Sequence, residues 1–181
     1  MYNVAVIVGS LRKDSMNKKL ARALMNVGKG QMNFTLVNIS DIPLYNQDTE
    51  DPPPPPVARV KETVKAADGV IFVTPEYNRS IPGVLKNVID WCSRPYGQNV
   101  WAGKPAAIAG MSPGAVGTAV AQSHLRSILT MLGMILLSQP EIYMSDRPGV
   151  IAEDGTVSAQ QTETFLRDFL TRFGGWIDSP K

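Results

Sequence analysis

The sequence holds a single cysteine, Cys92, and a single histidine, His124. One cysteine excludes an internal disulfide, and one of each residue excludes a zinc site built from cysteine and histidine ligands within one chain. No apolar run approaches the roughly 18 residues that a membrane-spanning helix needs. The amino terminus, MYNVAVIVGS, has neither a basic start nor a small-residue cleavage site, so no signal peptide is expected and the cytoplasm is the expected setting. Charge of one sign is also scarce: 18 Lys and Arg against 16 Asp and Glu leave a net charge of +2. That balance gives no argument for a nucleic-acid partner. With 181 residues, 44% of them hydrophobic, the chain is expected to form one globular domain over residues 1–181.

What is present is an alternation of apolar runs and helical patterns. Val4–Gly9 is a continuous apolar run stopped by glycine, as suits a strand buried on both faces. Met16–Val27 follows, with Leu20, Leu24 and Val27 at helical spacing. Met32–Ser40 alternates like a strand and Val57–Ala67 reads as helix. Gly69–Tyr77 is a second buried strand stopped by Pro75, and Pro82–Trp91 is a helix with proline in its first turn. Pro105–Ser112 is strand-like, Thr118–Leu132 helical, and Met134–Met144 the last strand region. Ala159–Trp176 closes the chain, with Phe165, Phe169 and Phe173 on one helical face. This order predicts an α/β protein: a flavodoxin-like, doubly wound, five-stranded parallel sheet with helices on both faces. The prolines Pro52–Pro56 are expected to form a stiff polyproline II spacer after the second strand, with a partner-binding proline motif as the alternative.

In an open parallel sheet, ligands bind beyond the carboxyl ends of the strands where strand order reverses, here between the first and third strands. Two loops meet there. The first, Gly9–Asn17, surrounds a helix start with Arg12, Lys13, Lys18 and Lys19 against one acid, Asp14. Cations at a helix N-terminus cost about 0.3–1 kcal/mol each, because that end already carries partial positive charge. Backbone N–H groups, the hydroxyls of Ser10 and Ser15, the Asn17 amide and the Arg12 guanidinium together offer the donors a phosphate needs. The alternative is a plain N-cap at Ser15 beside solvated lysines. Neither G-x-G-x-x-G nor the Walker pattern is present. The second loop, TPEYNRSIPG, places Glu76, Tyr77 and Asn78 at the sheet edge, where a planar ring could be gripped. Its alternative is a turn closed by Asn78 and Pro82.

A third loop, Gly110–Gly114, matches the G-x-S-x-G nucleophile elbow. A hydrolase is nonetheless excluded. Pro113 has no N–H for an oxyanion hole, no acid lies between Ser112 and His124, and His124 falls inside an expected helix. What remains is a glycine-lined floor that a flat ligand can approach. His124 reads as a surface or helix-packing residue and Cys92 as a buried thiol.

Together these loops resemble the NAD(P)H-dependent FMN reductase family, flavodoxin-like proteins that include bacterial quinone reductases also described as chromate reductases. The likeness rests on G-S-x-R-x-x-S-x-N at Gly9, Ser10, Arg12, Ser15 and Asn17, and on TPEYN at Thr74–Asn78 with SIPGVLKNVIDW at Ser80–Trp91. AGKP at Ala102–Pro105 and HLRSIL at His124–Leu129 extend it over most of the chain. The resemblance implies an FMN phosphate held by Ser10, Arg12, Ser15 and Asn17, with Met16 in the same cofactor-binding set. It implies a flavin ring against Pro75, Glu76, Tyr77 and Asn78, with Ser112, Gly114 and Gly117 on the far side. It implies hydride transfer from NAD(P)H to FMN, then two electrons to a small-molecule acceptor: a quinone, or chromate, an azo compound or free flavin. No catalytic side chain and no metal are implied, since the cofactor carries the chemistry. A homodimer or homotetramer is expected. The proline run and the sequence SPGAVGTA in the third loop depart from the family pattern. A non-enzymatic FMN electron carrier of flavodoxin type is the alternative; such carriers present strongly acidic surfaces, whereas this chain is at +2.

Overall fold

The apolar runs become the centre of one sheet. The computed structural model describes residues 1–179, so the last two positions of the expected 1–181 domain lie outside the described residues. The elements are β1 (Tyr2–Val8), α1 (Met16–Val27), β2 (Met32–Leu36), α2 (Pro55–Ala66), β3 (Gly69–Val73), α3 (Gly83–Cys92), β4 (Pro105–Ser112), α4 (Ala119–Met131), β5 (Ile135–Leu136), β6 (Ile142–Ser145) and α5 (Gln160–Asp178). All pairings of the sheet are parallel, in the order β2-β1-β3-β4-β5, with β6 also beside β4. Strand order therefore reverses between β1 and β3, as the sequence pattern implied.

Alternate residues of each strand feed two cores. Val4, Val6 and Val8 of β1 face α1 and α5, where Leu20, Leu24, Phe169 and Phe173 pack. Ala5 and Ile7 face α2, α3 and α4, with Val60, Leu85, Ile89, Trp101 and Leu125. Burying each large apolar side chain is worth about 1.5–3 kcal/mol. The stripe of α5 is Leu166, Phe169, Leu170 and Phe173, all buried, whereas Phe165 is over a third exposed. Steps of four residues drift around a helix of 3.6 residues per turn, which carries Phe165 off the buried stripe.

Three boundaries differ from the sequence expectation. Pro55 and Pro56 open α2 rather than extending a polyproline spacer; Pro54, just before them, keeps that backbone, at φ −52° and ψ 144°. Proline suits a first helical turn, because its missing N–H would have had no partner there. The expected strand Met134–Met144 is two short segments. β5 pairs with Pro105 and Ala106, and β6 with Ala109–Ser112, separated by a stretch that contains Pro140, which cannot donate to a ladder. β2 ends at Leu36, short of the expected Ser40, while β3 ends at Val73, just before its expected stop at Pro75. β1 stops at Val8, and Pro75 has no N–H to continue β3.

The long connection from β2 to α2 is held against α3. Pro43 O accepts from Trp91 Nε1 and Asn87 Nδ2, each at 2.8 Å. Glu50 takes two parallel 2.9 Å bonds from Arg94 and a 2.7 Å bond from the Tyr45 hydroxyl. Arg94 first, then Tyr45, hold the Glu50 carboxyl below the ordinary glutamate range. A depressed carboxyl stabilises the fold above its unfolded pKa, and that contribution is lost as pH falls through the lower folded value. Glu50→Gln should therefore melt at a lower temperature than the parent protein at pH 7. The gap in Tm, followed by circular dichroism, should close below about pH 4, under the unperturbed glutamate value of about 4.3.

Candidate active site

The ends of β1, β3 and β4 open onto a cavity of about 210 Å³. The β1–α1 loop contributes Ser10, Arg12, Ser15, Met16 and Asn17. The β3–α3 loop contributes Pro75, Glu76 and Tyr77, and β4 contributes Met111 and Ser112, followed by Pro113. Nine of the twelve residues proposed from the sequence thus line one cavity, and Asn78, Gly114 and Gly117 do not.

On the first wall, Ser15 stands at the N-cap position of α1, yet its side chain makes no capping bond. The first turn of α1 contains no acid. Ser10 and Ser15 are 3% and 4% exposed, and neither hydroxyl has a hydrogen-bond partner among the described residues. Arg12 is exposed and makes no ion pair among the described residues. Lys19, by contrast, is paired with Glu153 at 2.5 Å, so its charge is already answered. The Asn17 side chain is committed as well. Its Oδ1 accepts from Met111 N and its Nδ2 donates to Met111 O, both at 2.9 Å and buried. The reason lies in the sheet. Thr74 N donates to Ala109 O, so Met111, two residues further along β4, turns its polar groups to the same edge, where β3 has already ended. Asn17 replaces the missing strand, and what it offers a ligand is chiefly its backbone N–H.

The second wall is a two-residue hairpin. Tyr77 and Ser80 exchange both backbone bonds at 3.0 Å, and the central Asn78 and Arg79 have φ of 51° and 62°. Positive φ at both central positions is the type I′ turn, which asparagine tolerates well and arginine poorly. Asn78 thus shapes the turn from outside the cavity. Glu76, unexplained by turn chemistry, is explained by a helix. Its Oε2 accepts from the backbone N–H groups of Val120 at 3.1 Å and Ala121 at 3.0 Å, while Oε1 pairs with Arg79 at 3.2 Å. It caps α4 from another loop, and Thr118 at the N-cap position makes no side-chain cap. His124, on α4, lies 3.0 Å by its Nδ1 from Ser80 Oγ on the other leg of the hairpin.

The floor is the end of β4. A side chain at Gly110 would stand 1.9 Å from Thr118 Oγ1 and 2.6 Å from Thr74 O, so only glycine fits. Gly117, at φ +60°, packs against the backbone of Tyr143 and Met144 rather than facing the cavity. Gly114 O accepts from the hydroxyls of Ser112 and Ser145, each at 3.1 Å. Ser112 has no histidine partner, which agrees with the exclusion of a hydrolase. Burial pushes the Cys92 thiol up to about 12, so it is no nucleophile. Sequence reasoning missed Met111 as a wall residue, and it missed Gln122, which is fully buried and donates to Thr118 Oγ1 and Ile142 O. Strand alternation places Met111 on the α1 side and could have signalled the first; nothing local signals the second.

A doubly wound sheet with an anion cradle at its switch point defines a flavodoxin-like class of phosphate-binding proteins. The chain belongs to the NADPH-dependent FMN reductase family, whose model matches residues 2–148. A 2-hydroxy-1,4-benzoquinone reductase from Burkholderia sp is 47% identical over 174 residues, spanning 96% of this chain and 95% of the relative. A quinone reductase from Pseudomonas putida is 44% identical over 178 residues, spanning 98% of this chain and 95% of the relative. The solved structure of FerB, a flavoenzyme NAD(P)H:(acceptor) oxidoreductase from Paracoccus denitrificans, matches with a TM-score of 0.94 at 46% identity, covering 98% of each chain. The chain is accordingly an oxidoreductase with FMN as its cofactor and NAD(P)H as its electron donor, and the electron-carrier alternative is set aside. The residues present fit that cofactor, since two partner-free hydroxyls on otherwise buried serines that line the cavity and an acid-free helix start are what a phosphate dianion requires. Among the described residues, no helix is long and apolar enough to cross a membrane.

Glu76→Ala should lower stability by about 0.5–2 kcal/mol, as loss of a helix cap does. Glu76→Gln keeps an acceptor and should lose only the charge contribution, about 0.3–1 kcal/mol. Urea denaturation of the three proteins measures the order.

Proposed function

We propose that this chain is a single-domain cytoplasmic quinone reductase, with the FMN phosphate held in the β1–α1 cradle and the ring laid toward the β3–α3 and β4–α4 loops. One contrast carries the reading. Among the helices that start at this carboxyl end of the sheet, α4 has its N-terminus capped by Glu76, while α1, whose first turn lines the cavity, has no acid in that turn, no side-chain cap and beside it an Arg12 with no ion pair among the described residues. Ser10 and Ser15 donate their hydroxyls to the phosphate, Met16 and Asn17 donate backbone N–H groups, and Arg12 closes over it as a charge-assisted donor. Pro75, Glu76, Tyr77, Met111, Ser112 and Pro113 border the ring. Asn78, Gly114 and Gly117 shape the loops that carry those residues.

Bound FMN supplies the hydride-accepting and two-electron-donating chemistry. The chain's part is to orient donor and acceptor in turn on one open face. The Tyr77 hairpin, tied to α4 through Glu76 and Ser80, borders that face and keeps its geometry constant between the two halves of the cycle. A flat face of this kind suits quinones and tolerates other flat oxidants. The names of the close relatives, both quinone reductases, support the acceptor class. NAD(P)H is a cytoplasmic pool, which supports the setting. Tyr77 in the cavity lining and Val116 in the β4–α4 loop, each nearly half exposed, support a homodimer or homotetramer that covers them.

Anaerobic titration of the purified protein with NADPH should bleach a flavin absorption band, and added benzoquinone should restore it; a colourless protein that takes up no FMN would sink the proposal. Arg12→Ala should weaken FMN retention by about 10- to 100-fold, since a hydrogen bond to a charged group is worth about 1.5–3 kcal/mol. Equilibrium dialysis against FMN measures it. Light scattering of the purified protein should give a mass of two or four chains.

A further inference from the structure

A second cavity, of about 220 Å³, lies beside the β1–α1 loop over the end of β2. Ser10 lines both this cavity and the candidate active site. Each volume alone falls below the roughly 300–1,000 Å³ of a pocket that holds a whole drug-sized ligand. Joined at Ser10, the two read as halves of one longer site.

The walls of the second half are apolar: Val8, Leu11, Leu36, Val37 and Ile39. Leu11 and Leu36 are each about half exposed and form a lip that a flat apolar body would cover. Lys18 is the one cation in the lining, and among the described residues its side chain makes a single long bond, 3.4 Å to Leu11 O. No carboxylate lines the cavity, and nearby Asp41 is drawn away by Arg59 through bonds of 2.7 and 2.9 Å. Asn38, in the lining, accepts by its Oδ1 from the backbone N–H and the hydroxyl of Ser40, and its Nδ2 makes no bond among the described residues, which leaves it available as a donor.

We propose that this cavity is an adenylate subsite, which takes the adenosine monophosphate half of a dinucleotide whose other half reaches the candidate active site. The proposal rests on the flavin-site reading above. A phosphate in the cradle has only Ser10 between it and the second cavity, so one further phosphate unit passes Lys18 and delivers an adenosine over β2. A purine is flat and apolar on its faces, which matches the lip, and its ring nitrogens accept from an amide such as Asn38 Nδ2. In doubly wound sheets a carboxylate near the end of the second strand reads the adenosine ribose and disfavours a 2′-phosphate. Here Asn38 and Ser40 occupy that region, so a 2′-phosphate meets no repulsion. The adenylate could belong to FAD in place of FMN, or to the NADPH co-substrate.

Leu36→Glu sets a carboxylate on the exposed lip, at the last residue of an edge strand and outside both cores. Protein stripped of flavin is titrated with FMN and with FAD by flavin fluorescence, and the FMN-loaded enzyme is assayed for its NADPH KM. If FAD is the source, the variant weakens FAD by about tenfold or more and leaves FMN within about twofold. If the co-substrate is the source, KM for NADPH rises about tenfold at unchanged kcat. An unmoved FAD affinity together with an unmoved KM overturns the proposal, and so does equal weakening of FMN and FAD. Parent protein that binds neither flavin would instead overturn the flavin-site reading from which the proposal starts.

Discussion

The side-chain amide of Asn17 closes both polar groups of Met111 at the end of β4, and the rest of the site is arranged around that pairing. A buried peptide group left without a partner costs about 1–3 kcal/mol. β3 ends before it can serve Met111, so the edge of β4 must find its partner elsewhere. It finds one in the first turn of α1. That bond sets the height and rotation of the helix start over the sheet. Ser15, two residues earlier, is then held with its hydroxyl turned into the cavity instead of onto its own helix. One pairing between a side chain and a backbone thus solves a folding problem at the sheet edge and leaves an anion cradle beside it.

At the same end of the sheet, the starts of α1 and α4 are handled in opposite ways. α4 receives a carboxylate from Glu76, so its partial positive charge is neutralised within the protein. α1 receives none, although Asp14 lies one residue before its N-cap position. A protein that only had to be stable would treat both alike, because each uncapped start forgoes about a kilocalorie per mole. The asymmetry supports the proposed division, in which the start of α1 serves a ligand and the start of α4 serves the scaffold. It also explains why the β3–α3 loop is well placed to border that ligand: Glu76 on one leg and Ser80 on the other fasten the loop to α4, and the strained Arg79 turn is held between them.

Much of this could be read from the residues. Continuous apolar runs ending in glycine or proline marked β1, β3 and β4, because strands buried on both faces need no alternation. The cationic loop and TPEYN marked the switch point, because each broke a local rule. The parts that could not be read depend on partners distant in sequence. Asn17 looked like a phosphate ligand until Met111, 94 residues away, claimed its amide. Glu76 stood out as a ring contact, but its second role, capping α4, shows only in its bonds to Val120 and Ala121. Gly117 looked like cavity floor, yet its freedom is used against β6. The division of the last strand was hidden too, since Pro140 sits in a run whose composition otherwise suits a strand.

That divided last strand has a consequence for the protein outside its own fold. An open sheet presents two edges, and a long flat edge is a template on which another chain can add a strand. Here one edge is the two-residue β5 followed, after an interruption containing Pro140, by the four-residue β6. Neither piece offers a continuous row of free N–H and C=O groups long enough to seed an intermolecular ladder. The break that costs the sheet a few internal bonds therefore also guards a protein rich in buried β-structure against growth into aggregates.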